Sequence, residues 1–175
     1  MNFITVFSRF GVPRHLISLY YFIKYRCIVS PRAEVELTNN LCIGRGSQIG
    51  SFTKIKATAG RVVIGKRVDI ATGCFLGGMP GGLVIGDDCL IGPNCTLLSG
   101  NYNYTRIDQT IREQGHSSKG TRIGDNVWIG SGSVIADGSD IAHGSVIAPN
   151  SVVLGKIPGN SIVQGNPAKV IFIRR

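Results

Sequence analysis

Acidic residues are scarce and unevenly placed. Ten Asp and Glu stand against nineteen Lys and Arg, a formal charge of +9. No acid precedes Glu34 and none follows Asp140, so both ends of the chain are basic, with Arg9, Arg14, Lys24 and Arg26 at one and Lys156, Lys169, Arg174 and Arg175 at the other. Such ends suit a polyanionic partner: the phosphates of a cofactor, an anionic glycan or a membrane surface. Nucleic acid is not expected, because no helix-turn-helix, zinc-finger or RNP-like pattern accompanies the charge. Long apolar runs are also missing. The longest, Leu16 to Ile23, falls well short of the roughly 20 residues that span a bilayer. The opening Met1-Asn2-Phe3-Ile4 has neither the charged n-region nor the small-residue cleavage site of a secretory signal, so a cytoplasmic location is expected.

Other chemistries lack their residues. Cys27, Cys42, Cys74, Cys89 and Cys95 form no C-x-x-C pair and are odd in number, which indicates neither a zinc site nor a disulfide framework. Only three histidines exist, His15, His116 and His143, too dispersed for a three-histidine zinc centre, so no metal is expected. Gly60 to Lys66 matches the start of a phosphate-binding P-loop, but Arg67 stands where Ser or Thr would hold the metal. No G-x-S-x-G nucleophile elbow occurs.

What is abundant is aliphatic. Ile, Leu and Val supply 47 of 175 residues while charged residues are 17%, a balance that excludes disorder and fits a single domain with a real core. These residues recur with a period of six. From Ile123 the chain reads IGDNVW, IGSGSV, IADGSD, IAHGSV, IAPNSV, and the same grammar appears upstream as IGRGSQ from Ile43, IGSFTK, IGKRVD from Ile64, IATGCF, IGDDCL from Ile85 and IGPNCT. Six residues are too few for a helical hairpin and suit a short strand plus a turn. Three such units closing a coil would point each first-position Ile and each small fifth residue inward. Cys74, Cys89 and Cys95 occupy that fifth position, so they read as small core residues. The Gly, Asn and Asp at positions two to four read as turn formers. Three-residue insertions interrupt the repeat near 61–63 and 82–84, and a long one spans 98–122.

This run of hexads resembles the hexapeptide-repeat acyltransferases, and the stretches Ile123 to Gly130 and Ile157 to Ile171 are similar to the galactoside/maltose acetyltransferase branch, including the O-acetyltransferases of surface polysaccharides. The resemblance implies an all-β fold, a left-handed parallel β-helix with a protruding loop. The expected organisation is a helical cap over residues 1–30, the β-helix over 31–156 with its excursion at 98–122, and a C-terminal tail over 157–175. It further implies a homotrimer that transfers acetyl from acetyl-CoA to a sugar or glycan hydroxyl in surface or exopolysaccharide synthesis. In such enzymes the excursion helps to form a site between subunits, where a histidine serves as general base.

Aligned on REQG and on the following IGDNVWIG, the family's Asn-His pair falls on Asn101-Tyr102. A phenol with an ordinary pKa of about 10 is protonated at neutral pH, whereas an imidazole near about 6.5 can accept a proton. The excursion holds one imidazole, His116, at a position that the resemblance to galactoside-acetyltransferase-like members implies is on the acceptor side of the same site. Three accounts stay open: His116 has taken over as base, Tyr102 or positioning alone suffices, or the chain is a catalytically impaired pseudo-acetyltransferase that acts as a binding or scaffold trimer. For acetyl-CoA, Ser131 matches a serine on the cofactor groove, Pro149 a small residue against the pantetheine arm, and Lys169 a basic residue near the nucleotide phosphates. Leu154-Gly155 replaces the usual Thr-Lys pair, leaving Lys156 or Arg174 to supply that charge. Trp128 reads as packing at the trimer seam, and His15 and His143 as weak candidates for chemistry.

Residues 13–29 interleave aromatic and basic side chains. Helical spacing groups Leu16, Leu19, Tyr20 and Ile23 on one face, which predicts a short amphipathic helix shielding the open end of the coil. The alternative is an interfacial anchor that holds the protein peripherally at the inner face of a membrane.

Overall fold

The computed structural model describes residues 12–175; residues 1–11 of the expected cap, Arg9 among them, lie outside the described residues. A helix, Arg14–Tyr25, leads into a parallel β-solenoid of about six turns. Strands of mostly two or three residues stack into three sheets. Ile28, Gln48, Asp69, Leu90, Trp128, Val146 and Ile162 form one register column of the first sheet. Glu34, Lys54, Phe75, Thr96, Val134 and Val152 do so in the second, and Cys42, Val63, Val84, Arg122, Asp140 and Lys156 in the third.

The hexad phase decides what each residue does. First-position residues from Ile43 to Val153 are all buried, as are the fifth-position residues from Ser47 to Ser151. Each buried aliphatic side chain contributes about 1.5–3 kcal/mol, and stacking repeats them into one continuous core. The fourth residue of every hexad from Ile43 to Ile147 has positive φ; Asp88, Asn94, Asn126 and Asn150 all sit near 53–59°. This left-handed residue turns the chain from one sheet to the next. Arg67 accepts that conformation at φ 53° and forks its guanidinium onto Asp88 one coil on, with both N–O distances 2.6 Å.

Fifth-position hydroxyls bond the coils to one another. Ser47 Oγ donates to Gly65 O (2.7 Å) and Thr53 Oγ1 to Ala71 O (2.8 Å). Cysteine does the same: Cys74, Cys89 and Cys95 direct their thiols at the carbonyls of Gly92, Gly124 and Gly130, at 3.2, 3.1 and 3.2 Å. These cysteines are therefore weak polar rungs as well as small core residues.

The helix covers the first coil, but not with the face its spacing suggests. Leu16, Leu19, Tyr20 and Ile23 are 54, 51, 41 and 70% exposed. Ile17, Tyr21 and Tyr25, four residues apart, pack on the core instead. Tyr21 is fully buried, and its hydroxyl donates to Glu36 O at 2.9 Å. The tyrosine prevails because its ring fills the coil mouth while its polar tip finds a carbonyl. Among the described residues no helix is long and apolar enough to cross a membrane.

The other end also differs from expectation. The segment expected as a tail from 157 continues the solenoid: Ile157 pairs with Ile141, and Ser161–Gly165 joins the first sheet. Ala168–Ile173 then folds back antiparallel on Ser161–Gly165, supplying the last coil with an edge partner.

All insertions fall at one corner, between the second and third sheets. Coil spacing is eighteen residues from Trp128 to Val146, twenty-one from Gln48 to Asp69 and again to Leu90, and thirty-eight from Leu90 to Trp128. The extra residues stack as a column. Glu36 Oε2 accepts from the N–H groups of Ala57 and Thr58, both at 2.8 Å, and from the Thr58 hydroxyl. Ser99 Oγ accepts from Met79 N at 2.7 Å.

Candidate active site

The longest insertion leaves this column at Gly100 and returns at Ser118. Ser118 Oγ closes its base, donating to Ser99 O and accepting from Gly81 N at 2.8 Å. On the return, the Asp137 carboxylate accepts from Lys119 N and Gly120 N, both at 2.9 Å. The neck is a two-stranded antiparallel ladder in which Asn101 faces Ser117 and Tyr102 faces His116. Asn103 N donates to Gly115 O at 3.0 Å and extends it.

Beyond the neck the excursion is held by its own polar side chains. Arg106 pairs with Asp108 at 2.6 Å, which draws the aspartate below the usual carboxylate range. Glu113 accepts from Thr110 Oγ1 (2.8 Å) and Thr110 N (3.0 Å), and these bonds lower its carboxyl likewise. Gln114 Nε2 donates to Arg106 O at 2.8 Å, and its Oε1 accepts from Arg106 N at 3.0 Å. Tyr104, Ile107 and Ile111 remain exposed at the tip.

Three residues singled out in the sequence thus meet on one neck. The Tyr102 and His116 rings lie 4.2 Å apart, centroid to centroid, tilted by 42°. Asn101 keeps its side chain local, Oδ1 accepting from Tyr102 N at 2.9 Å. The ring pair stands between two recesses. One, of about 470 Å³, has an apolar floor of Phe75, Met79 and Leu98, carries Glu36 and Lys56, and is closed by Asn101, Tyr102 and His116. The other, of about 600 Å³, is bounded by Tyr102, Ile111, Arg112 and His116. A third, polar groove of about 290 Å³ follows the returning strand past Lys119, Arg122 and Asp140.

The recess floor carries no motif. Its signal lay in the spacing: the two short insertions, which the structure places at 57–61 and 78–82, precede the excursion by two coils and by one, so they had to stack beneath it. Met79 and the glycines beside it form that support, and a Cβ on Gly60 would come within 1.9 Å of Met79 O.

The residues expected to hold acetyl-CoA do not gather around His116 within one chain. Ser131 and Pro149 stack one coil apart at a different corner, between the first and second sheets; a Cβ on Gly130 would touch Pro149 N at 2.6 Å. Lys156 projects from the third sheet, and Lys169 from the C-terminal hairpin, opposite Gln164. Arg174 folds back, its guanidinium donating to Gly144 O at 2.7 Å. Trp128 is half exposed on the outer face of the first sheet, between Leu90 and Val146. His15 and His143 are exposed, one on the helix and one at a coil corner.

No cysteine lies in these recesses. Burial pushes the Cys27 and Cys89 thiols up to about 11. In the stacked pair, the bond between the two thiols lowers Cys74 and raises Cys95, and both are buried away from solvent.

Two family models match the chain: bacterial transferase hexapeptide (six repeats) over residues 120–155, and hexapeptide repeat of succinyl-transferase over residues 82–100. An inferred acetyltransferase of Mycobacterium tuberculosis is 32% identical over 149 residues, 81% of this chain and 48% of its own length. An inferred acetyltransferase of Dictyostelium discoideum is 47% identical over 90 residues, 51% of this chain and 46% of its own. The chain therefore spans about half the length of the curated relatives it matches. Among solved structures, a variant of the N-acyltransferase AntD from Bacillus cereus, in complex with dTDP-4-amino-4,6-dideoxyglucose and coenzyme A, superposes with a TM-score of 0.78 at 21% identity, covering 90% of this chain and 88% of that one. A galactoside acetyltransferase in complex with coenzyme A gives 0.63 at 23% identity over 97% and 76%. At these identities the structural likeness speaks for the fold.

Proposed function

We propose that this chain, which belongs to the hexapeptide-repeat acetyltransferase family, transfers an acetyl group from acetyl-CoA to a hydroxyl of a sugar or a surface-polysaccharide glycan, with His116 as general base. The observation that carries the reading is the Tyr102–His116 pair standing between two recesses on the one long excursion of the solenoid. A base placed there reaches an acceptor on one side and a thioester on the other. His116 takes the acceptor O–H proton, and the oxygen bonds to the thioester carbonyl carbon. A backbone N–H stabilises the oxyanion, the C–S bond breaks and the thiolate leaves with the proton that His116 returns. Tyr102 holds the imidazole in place from across the ladder. Phe75 and Met79 offer an apolar platform to a sugar face, while Glu36 and Lys56 offer it polar partners.

Acetyl-CoA would lie along the groove that Ser131 and Pro149 border, with Lys156, Lys169 and Arg174 nearest its phosphates. Because that groove and the excursion occupy different corners of one chain, the reading calls for a homotrimer in which one protomer's excursion meets its neighbour's groove. Sedimentation velocity is expected to give three times the protomer mass. A monomer with full turnover would remove the shared site.

The chemistry is tested by thiol release from acetyl-CoA with a panel of sugars and amino sugars, for wild type, His116→Ala and Tyr102→His. Wild-type turnover abolished by His116→Ala supports His116 as base. Turnover that appears only in Tyr102→His would mark the chain as a silent scaffold instead, and a fully active His116→Ala variant would remove the assignment. An amino sugar as the sole acceptor would change the acylated atom from oxygen to nitrogen.

A further inference from the structure

The helix has two apolar faces, and the core uses only one. Ile17, Tyr21 and Tyr25 turn inward, while Leu16, Leu19, Phe22 and Ile23 turn out, the last two 58 and 70% exposed. Around this outer face the charge has one sign. Arg14 and Lys24 flank it on the helix, with the Lys24 ammonium over the Tyr20 and Tyr25 rings. At its C-terminal end Phe22, Ile23, Arg26, Arg45 and Gly46 enclose an open recess of about 470 Å³. Arg26 and Arg45 pair with no carboxylate among the described residues, and the nearest acids in sequence are engaged, Glu34 by Lys54 at 2.8 Å and Glu36 by the corner column. Upstream the sequence continues in kind, with Phe3, Ile4, Phe7, Phe10 and Arg9 and no acid.

We propose that the outer face of helix Arg14–Tyr25, with Arg26 and Arg45, docks the protein on an anionic phospholipid surface. Two arginines beside two apolar side chains match the two halves of a phospholipid. The guanidiniums fork onto the headgroup phosphate, and Phe22 and Ile23 enter the acyl boundary with Leu16 and Leu19. A second protein would explain the apolar residues but not a single-signed rim; a soluble phosphate would explain the arginines but not the exposed Leu, Phe and Ile. The docked end is the first coil, and the excursion leaves the fourth, so three coil steps of about 4.8 Å set the Tyr102–His116 neck roughly 15 Å beyond that coil, while the recess beneath the neck runs back to Glu36 on the first coil. A glycan still attached to its lipid could reach it there.

The test is co-sedimentation of the full chain with phosphatidylcholine vesicles, with and without phosphatidylglycerol, which requires no turnover and so is independent of the catalytic reading. Expected is binding to the anionic vesicles that weakens with salt. The double variant Arg26→Asn/Arg45→Gln, in which asparagine preserves the left-handed cap at φ 51°, is expected to weaken partitioning roughly thirty-fold. Phe22→Gln/Ile23→Gln is expected to weaken it by about tenfold or more. The charge-matched pair Arg61→Gln/Arg122→Gln, one just before and one within a strand of the third sheet, should bind like wild type, and circular dichroism confirms that each variant is folded. Failure to bind either vesicle overturns the proposal, including the cases where residues 1–11 or a second copy cover the face. So does an equal loss in the charge-matched control, or no effect of the apolar pair.

Discussion

The interior of the solenoid and the excursion obey opposite rules. Inside, a residue's role follows from its phase in a hexad: Ile70, Ile91, Ile129 and Ile147 are interchangeable members of one buried ladder. In the excursion no two residues do the same thing. Gln114 bridges to Arg106, Glu113 caps Thr110, and His116 faces Tyr102 across a ladder two residues long. Repetition stores stability, and its interruption frees side chains from packing. The contrast predicts that activity and stability separate cleanly between the two regions.

His116→Ala should break it first and furthest. Loss of a positioned general base typically costs about 10²–10⁴-fold in turnover, while exposed surface substitutions change stability within about 0.5 kcal/mol. Thiol-release kinetics are expected to collapse while the thermal midpoint stays put. A large drop in midpoint would mean that the His116–Tyr102 contact holds the excursion together.

Ile129→Ala should show the converse. Its side chain is fully buried between Ile91 and Ile147, so truncation opens a cavity between coils and should cost about 2–5 kcal/mol. Urea denaturation measures this. The surviving folded fraction should turn over normally, since Ile129 touches none of the recesses.

Between the extremes lies the corner column, which belongs to both regions. Gly60→Ala would drive a methyl into the Met79 carbonyl, and relieving that overlap should cost about 1–3 kcal/mol. Because Met79 floors the acceptor recess, KM for the acceptor should rise more than kcat falls. An unchanged KM would separate the column from acceptor binding.

The same division explains what was legible in the sequence. The hexads declared the coil, its inward positions and its positive-φ turns, because one physical constraint repeats at each of them. His116 and Tyr102 were legible as members of the only long interruption, and their pairing follows from a neck that must return to the corner it left. The helix face was misread because spacing alone groups Leu16, Leu19, Tyr20 and Ile23, whereas the choice was made by one ring, Tyr21, that could fill the coil mouth and still satisfy its hydroxyl on Glu36. The floor of the recess was illegible for a different reason. Phe75 and Met79 come from the third coil, Leu98 from the fourth and Glu36 and Lys56 from the first two, and only the stacking of insertions a coil apart joins them.

The smallest effect sharpens the comparison from within the core. Serine and cysteine both occupy the fifth hexad position and make the same kind of bond to the next coil's carbonyl, yet only cysteine titrates near pH 9–11. Burial raises the Cys89 thiol from 9.0 to about 11. In that window the folded chain keeps a proton that the unfolded chain has released, so the stability it contributes is complete below pH 9 and declines as pH rises towards 11. Cys89→Ser preserves the rung to Gly124 O and removes the titration. Its thermal midpoint should match wild type at neutral pH and fall less steeply above pH 9. Parallel slopes would mean that Cys89 ionises as readily folded as unfolded, and that the coil interior at that corner is wetter than its burial implies.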